Sequence, residues 1–292
     1  MKLYAPKYYN RFVCIADKCK NSCCVGWEID VDEVALNKYN SLSTSYSNNI
    51  RDSIDKSDTP HFILADNDRC PHLNECGLCQ IILNEGEDYL CDICREHPRF
   101  YNFTNRGKEV GIGMSCEEAC RLILDSDDFD EIIVLGEASG DADLYEFDAT
   151  VQISKIYEIL KDTSMNFGAK IELIYDYFDV YVDDNEMHQL LSSLEYMDEA
   201  HKELFLINSS NNNPYEVDDK LTRALAYFVF RHCSEACDIE EFNSSLCLGV
   251  FCTKLIGSLS KDNDIYEMAR IVSEEIEYSE DNSEKIKLAY FN

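Results

Sequence analysis

The stretches CIADKCKNSCC (14–24), RCPHLNECGLC (69–79), CDIC (91–94) and CEEAC (116–120) decide how this chain is read. They hold eleven of its fifteen cysteines within 107 residues. A thiolate is a soft, strong ligand, so cysteine at this density either holds metal or cross-links the chain. Residues 1–20 contain no apolar signal region or small-residue cleavage site, and no run of about 18 apolar residues occurs anywhere. These features predict a soluble cytoplasmic protein that does not contact membrane, in a compartment where thiols stay reduced. An odd total of fifteen also fits a closed disulfide framework poorly. Metal is the expectation.

Spacing narrows the kind of metal only in part. Cys76-x2-Cys79 with Cys91-x2-Cys94 would supply four thiolates to a tetrahedral zinc, though the 11 residues between the pairs are fewer than a zinc ribbon uses. The CxxxCxxC triad of radical enzymes is absent, because Gly26 stands where Cys19-x3-Cys23 would need its third cysteine. The bacterial ferredoxin run ending in Cys-Pro is absent too. A scattered thiol set remains, and zinc and iron–sulfur both stay open.

The rest of the chain differs in texture. Residues 61–116 are rich in turn formers and short apolar runs, the pattern of a metal-nucleated module. Helices are predicted over 32–42 (capped by Asp30 or Asp32), weakly over 46–56, and over 117–126, 144–161, 168–182, 186–207, 217–233, 239–258 and 264–278, with a break at Asn208–Pro214. In 217–233, Leu221, Leu225, Phe228, Val229 and His232 share one helical face. The fold class expected is mainly α: a loop-rich cysteine metal-binding module (1–120) followed by an acidic all-α helical domain (121–292). Lys and Arg number 26 against 57 Asp and Glu, a net charge of -31. Residues 1–120 carry 13 and 19 of these, so most of the excess lies in the second part. Such a field repels nucleic acid and favours basic partners, though solubility alone would also account for it.

Several side chains are candidates beyond the cysteines. Arg95, His97 and Arg99, with Tyr101 behind them, follow Cys94 directly. An Arg fork suits a carboxylate and a His titrates near neutrality, so these three are the catalytic candidates. Equally, they would cap the module and pair with Asp92 or Glu96. Trp27 is expected as a packed lid, Tyr8 and Tyr9 as packing, and Cys233, Cys237, Cys247 and Cys252 as core. His188 and His201 are expected to be ordinary helix residues. Gly111-Ile112-Gly113 lacks the third glycine of a dinucleotide turn, so no conventional site for S-adenosylmethionine is present.

Four motifs in order, YYNRFVCIADKCKNSCCVGWEID, RCPHLNECGLCQI, YLCDICREHPRFYN and MSCEEACRLIL, resemble the flagellin lysine-N-methylase family, which is related more loosely to small zinc- or iron-chelating cysteine-cluster proteins. YFVFRHCSEACD (227–238) is similar to a helical motif of the same family. The resemblance implies a [4Fe-4S] cluster and methyl transfer from S-adenosylmethionine to lysines of flagellin or another lysine-bearing protein. The positions matching the family's cysteine pattern are Cys14, Cys19, Cys23, Cys24, Cys70, Cys79, Cys91, Cys94 and Cys116, while Cys76 and Cys120 fall outside it. The competing expectation is a non-enzymatic zinc- or iron-binding redox module that docks a basic partner protein.

Overall fold

The computed structural model describes residues 1–140, 146–209 and 218–291. It divides into two compact units, Val13–Arg99 and a larger one made of Met1–Phe12 with the chain from Phe100 onward. The division therefore differs from the boundary expected at 120. Strand pairing is the cause, since the first residues and those after 100 belong to one sheet.

The chain opens on strand β1 (Lys2–Pro6) and then forms the smaller unit. That unit contains helix α1 (Glu33–Ser41), helix α2 (Ser47–Asp52), the short strands β2 (Ile54–Asp55) and β3 (His61–Phe62), and helices α3 (Gln80–Glu85) and α4 (Asp92–Glu96). Asp32 caps α1, as expected: its Oδ1 accepts the Ala35 N–H at 2.9 Å. Its Oδ2 accepts the Asp92 N–H at 2.8 Å, so one carboxylate ties α1 to the start of α4. Tyr39 on α1 is buried with Ile29, Ile50 and Phe62, and its hydroxyl donates to the Tyr89 carbonyl at 2.7 Å. The helix expected over 46–56 ends at Asp52, because Ile54 and Asp55 pair antiparallel with Phe62 and His61.

The larger unit corrects the all-α expectation. Strands β4 (Arg99–Thr104), β5 (Gly107–Ile112) and β6 (Ile132–Glu137) join β1 in a four-stranded sheet of order β4-β5-β1-β6. β1 runs parallel to β5 and antiparallel to β6. Gly107 is required where the hairpin meets β1, since its φ is +140° and a Cβ there would come 2.5 Å from the Lys2 carbonyl oxygen.

Nine helices are described here: α5 (Glu117–Asp125), α6 (Ala149–Lys161), α7 (Phe167–Phe178), α8 (Asp184–Ser193), α9 (Glu199–Asn208), α10 (Asp218–Cys233), α11 (Ile239–Leu259), α12 (Ile265–Val272) and α13 (Glu280–Ala289). The helix expected over 186–207 is two, because Asp198 caps a second start through the Ala200 N–H. The α13 helix was not anticipated. The break placed at Asn208–Pro214 lies, from 210 on, outside the described residues. α11 is long and apolar enough to cross a membrane, yet nearly all of it is buried in this core, which accounts for a helix that is apolar on every side. Tyr8, Cys233, Cys247 and Cys252 are core residues, as expected, whereas Cys237 is exposed.

After α12 the chain makes one π-helical turn, Ser273–Glu277, which delivers a fully buried carboxylate. Glu277 Oε1 accepts from Arg231 Nε at 2.9 Å, His232 Nε2 at 3.1 Å and the Tyr227 hydroxyl at 2.7 Å, while Oε2 accepts from Ser273. The Arg231 guanidinium lies 4.5 Å from the ring centres of both Phe100 and Tyr278. The Tyr227 hydroxyl in turn accepts the Met114 N–H at 3.0 Å. Burial by itself would raise the Glu277 carboxyl, but Arg231 and the hydrogen bonds outweigh it and hold the group below its ordinary value. Glu277→Gln should therefore cost about 3–5 kcal/mol, the penalty of leaving Arg231 buried without its counter-charge. Because the folded pKa is depressed, that difference is fully present above the unfolded carboxylate value and shrinks as pH falls through the folded one. Urea denaturation of both proteins at neutral and acid pH measures it.

Candidate metal centre

Backbone pairing in the smaller unit draws distant cysteines together. The Cys70 N–H donates to the Cys24 carbonyl at 2.8 Å, next to a bridge between Val25 and Arg69. Leu73 bridges to Cys79, and the Gln80 N–H donates to the His72 carbonyl at 2.7 Å. Cys79 and Cys91 stand immediately before α3 and α4, and Cys94 follows one turn into α4. Cys24, Cys70, Cys79, Cys91 and Cys94 all pack into the core of this unit.

Their charges act on one another. Burial pushes the Cys70 thiol up to about 12, and the charges of Cys24, Cys79 and Cys91 push the same way. Burial likewise raises Cys79, although the N–H groups of Ile82 and Ile81 point at its sulfur. Cys91 and Cys94 share a proton: the Cys94 S–H donates to Cys91, which lowers Cys91 and raises Cys94. A thiol bond from Cys23, aided by Ser22 and the Arg69 charge, brings Cys24 down to about 7 against the effect of burial. The result is a nest of five soft donors with N–H groups aimed at several of the sulfurs, a donor set suited to iron–sulfur or zinc. Among the described residues no three His, Cys, Asp or Glu side chains stand close enough as placed to hold a metal ion.

The nest takes five of the nine pattern cysteines. Cys14 and Cys23 are exposed, and Cys19 donates to the Asn21 carbonyl at 3.3 Å. Cys116 belongs to the larger unit, where it precedes α5 and its carbonyl accepts the Cys120 N–H. Cys76 is exposed, whereas Cys79 is half-buried at the start of α3.

The three catalytic candidates divide. Arg95 pairs with Asp92 and, at 3.5 Å, with Glu96, as the structural alternative anticipated. Burial, reinforced by the Arg99 charge, pushes His97 down to about 4, so it is neutral near pH 7. Its ring centre lies 6.1 Å from that of Trp27, whose Nε1 donates to the Cys23 carbonyl at 2.6 Å. Trp27 thus covers this edge, as expected of a lid. Arg99 donates from Nη1 to the Arg95 carbonyl at 3.2 Å. Two residues beside the nest were not anticipated. His72 is buried between the Tyr46 hydroxyl and Ser53 Oγ, each 2.9 Å from a ring nitrogen, and burial pushes it down to about 4. Tyr39 feels the charges of Cys91, Cys94 and Cys79 after burial has already raised it. Position in RCPHLNECGLC was the available signal for His72, and its place on the apolar side of α1 was that for Tyr39.

The chemistry of this partly buried thiol cluster is that of a candidate site for a soft metal. Part of the chain is similar to curated lysine-N-methylases of Salmonella typhimurium (27% identical) and Salmonella choleraesuis (26%), each over 130 residues, 42% of this chain and 32% of the relative. It is also 26% identical over 139 residues to the flagellar biosynthetic protein FliU of Salmonella muenchen, covering 45% of this chain and 80% of that protein. The chain therefore aligns with about a third of the length of the lysine-N-methylases it matches. No family model and no solved structure matches it.

Alkylation of the metal-free protein should report the nest. Cys14, Cys23, Cys76 and Cys237 should label fastest with iodoacetamide, and Cys70 and Cys91 should label slowly, with the core cysteines Cys120, Cys233, Cys247 and Cys252, as peptide mass spectrometry resolves. Equal rates at all sites would show that the nest is open.

Proposed function

We propose that this chain is a cytoplasmic flagellin lysine methylase, with four of Cys24, Cys70, Cys79, Cys91 and Cys94 holding a [4Fe-4S] cluster and S-adenosylmethionine as methyl donor. One observation supports the reading: five cysteines of the family pattern, far apart in sequence, pack in or against one core, with Cys70 and Cys91 buried and Cys24, Cys79 and Cys94 half-buried. The similarity to lysine-N-methylases and to FliU supports it. A cluster bound there supplies redox-active, Lewis-acidic iron.

In the transfer itself the lysine ε-nitrogen lone pair forms the new N–C bond. The C–S bond of the donor breaks with its electrons going to sulfur, and the nitrogen gives up a proton. The ammonium must lose a proton before it attacks. His97 is neutral and able to accept one, but a value near 4 makes it a weak base for the task. Arg99 presents a guanidinium suited to a donor carboxylate. Arg95 contributes by fixing the start of the segment through Asp92 and Glu96. The excess negative charge suits a lysine-bearing partner, and binding to flagellin should weaken as salt rises.

The second reading is a non-enzymatic zinc- or iron-binding redox module that docks a basic protein. The partial alignment with the lysine-N-methylases favours it, because the nest needs only the smaller unit. Purification without oxygen followed by iron and acid-labile sulfide assay separates the metals. Cys70→Ser and Cys91→Ser should each lose most of the iron, and a colourless protein with stoichiometric zinc would overturn the cluster. Incubation with flagellin and S-adenosylmethionine should add CH2 increments to the flagellin mass. An unchanged mass with retained, salt-sensitive binding selects the second reading.

A further inference from the structure

A cavity of about 230 Å³ lies in the larger unit, lined from the β4–β5 turn, the approach to β6, and helices α6 and α10. Its polar wall is unusual in charge. Arg106, at the hairpin turn, donates from Nε to Glu109 Oε1 at 2.6 Å, and its Nη2 pairs with the same buried carboxylate. Its Nη1 has no hydrogen-bond partner among the described residues. Asp130 binds Lys161 Nζ through Oδ2 at 2.7 Å, and its Oδ1 has no hydrogen-bond partner among the described residues. Thr150 and Ser154 add hydroxyls one turn apart on α6, while Tyr157 and Phe230 give an apolar wall.

Each charge facing the cavity is therefore already balanced, Arg106 by Glu109 and Asp130 by Lys161. What the cavity offers is one spare donor and one spare acceptor with no net charge. A simple anion would also meet the field of a protein with net charge -31. A simple cation would find no uncompensated carboxylate. A zwitterion suffers neither penalty and uses both spare positions. The volume is below the roughly 300–1,000 Å³ of sites for drug-sized ligands, so it suits a fragment of amino-acid size.

We propose that this cavity binds the α-amino-acid head of a small ligand, with its carboxylate on Arg106 Nη1, its ammonium on Asp130 Oδ1 and an unbranched apolar side chain against Tyr157 and Phe230. Free methionine and the methionine end of S-adenosylmethionine share this chemistry. The second source rests on the methylase reading above, while the first does not. Phe230 belongs to the YFVFRHCSEACD segment, so that motif gains a role in this wall beyond helix packing.

Isothermal titration of the full chain purified without oxygen, with L-methionine, with S-adenosylmethionine and with the same thioether acid lacking its amino group, tests it. At least one of the first two should bind, and the deaminated acid should bind at least about tenfold more weakly. Arg106→Gln and Asp130→Asn should each weaken binding by about tenfold or more. Ser154→Leu fills the mouth from an exposed helical position and should abolish binding with the thermal midpoint unchanged. It decides the matter if Arg106→Gln fails to fold. Absence of binding by both ligands, or wild-type affinity in Ser154→Leu, overturns the site. Flagellin methylation assayed in parallel separates the two readings: binding without methyl transfer sinks the methylase and keeps the site, and methyl transfer with unaltered binding in Ser154→Leu does the reverse.

Discussion

The smaller unit depends on one constraint: five thiols, two buried and three half-buried, are drawn from water with little to balance their charge. Removing sulfur from water favours the protonated form, and Cys70 and Cys79 respond accordingly, while Cys94 is raised first by its hydrogen bond to Cys91 and then by burial. Only Cys24 and Cys91 move toward thiolate, each because a neighbouring S–H donates to it. Without metal the nest is a set of competing acids in which ionising one opposes ionising the next. A cation changes the sign of that coupling, since every thiolate then stabilises the same centre, and the protons leave as it binds. A unit this small, whose core is partly made of the cysteines themselves, would gain folding free energy from such a ligand if it binds one.

The larger unit solves the opposite problem with its own atoms. Glu277 is as deeply buried as any thiol of the nest, yet it has a guanidinium, an imidazole and two hydroxyls around it. The cluster joins the π-helical turn, α10 and the loop at Met114. Gly113 lies under it, where a Cβ would meet the Tyr278 hydroxyl at 1.8 Å, so a larger residue there would displace the Tyr278 and Arg231 side-chain ends. This network balances its buried charge with groups of the protein alone.

That contrast explains what could be read in the sequence. Helices with local signals were legible: Asp32 before α1 and the apolar face Leu221, Leu225, Phe228 and Val229 on α10 lie where periodicity and capping place them. The sheet was not, because β1 meets its partners more than a hundred residues away, and no strand in it exceeds six residues. The split of 186–207 was not legible because it rests on a single cap, Asp198 accepting the Ala200 N–H, which leaves little trace in the periodicity. In the thiol set the chemistry was legible and the membership was not. Spacing along the chain says nothing of which cysteines face inward, and turns such as Asn74–Gly77 carry Cys76 outward while Cys79 turns in.

The division of the chain also changes what a nine-cysteine pattern means. Eight of the nine positions lie in the smaller unit and Cys116 lies in the larger. Of the eight, five face a common core, and three occupy the irregular segment from Cys14 to Cys23, with Cys23 serving Cys24 through a thiol hydrogen bond. A pattern read from sequence as one ligand set is thus at least two structural jobs. Some cysteines pack into the core of the smaller unit, and others stand in the irregular segment or at helix starts. One cluster needs four thiolates, so the excess over four does not demand a second metal. Cysteine also serves this fold as a small buried side chain, as the fully buried Cys120, Cys233 and Cys252 of the larger unit show.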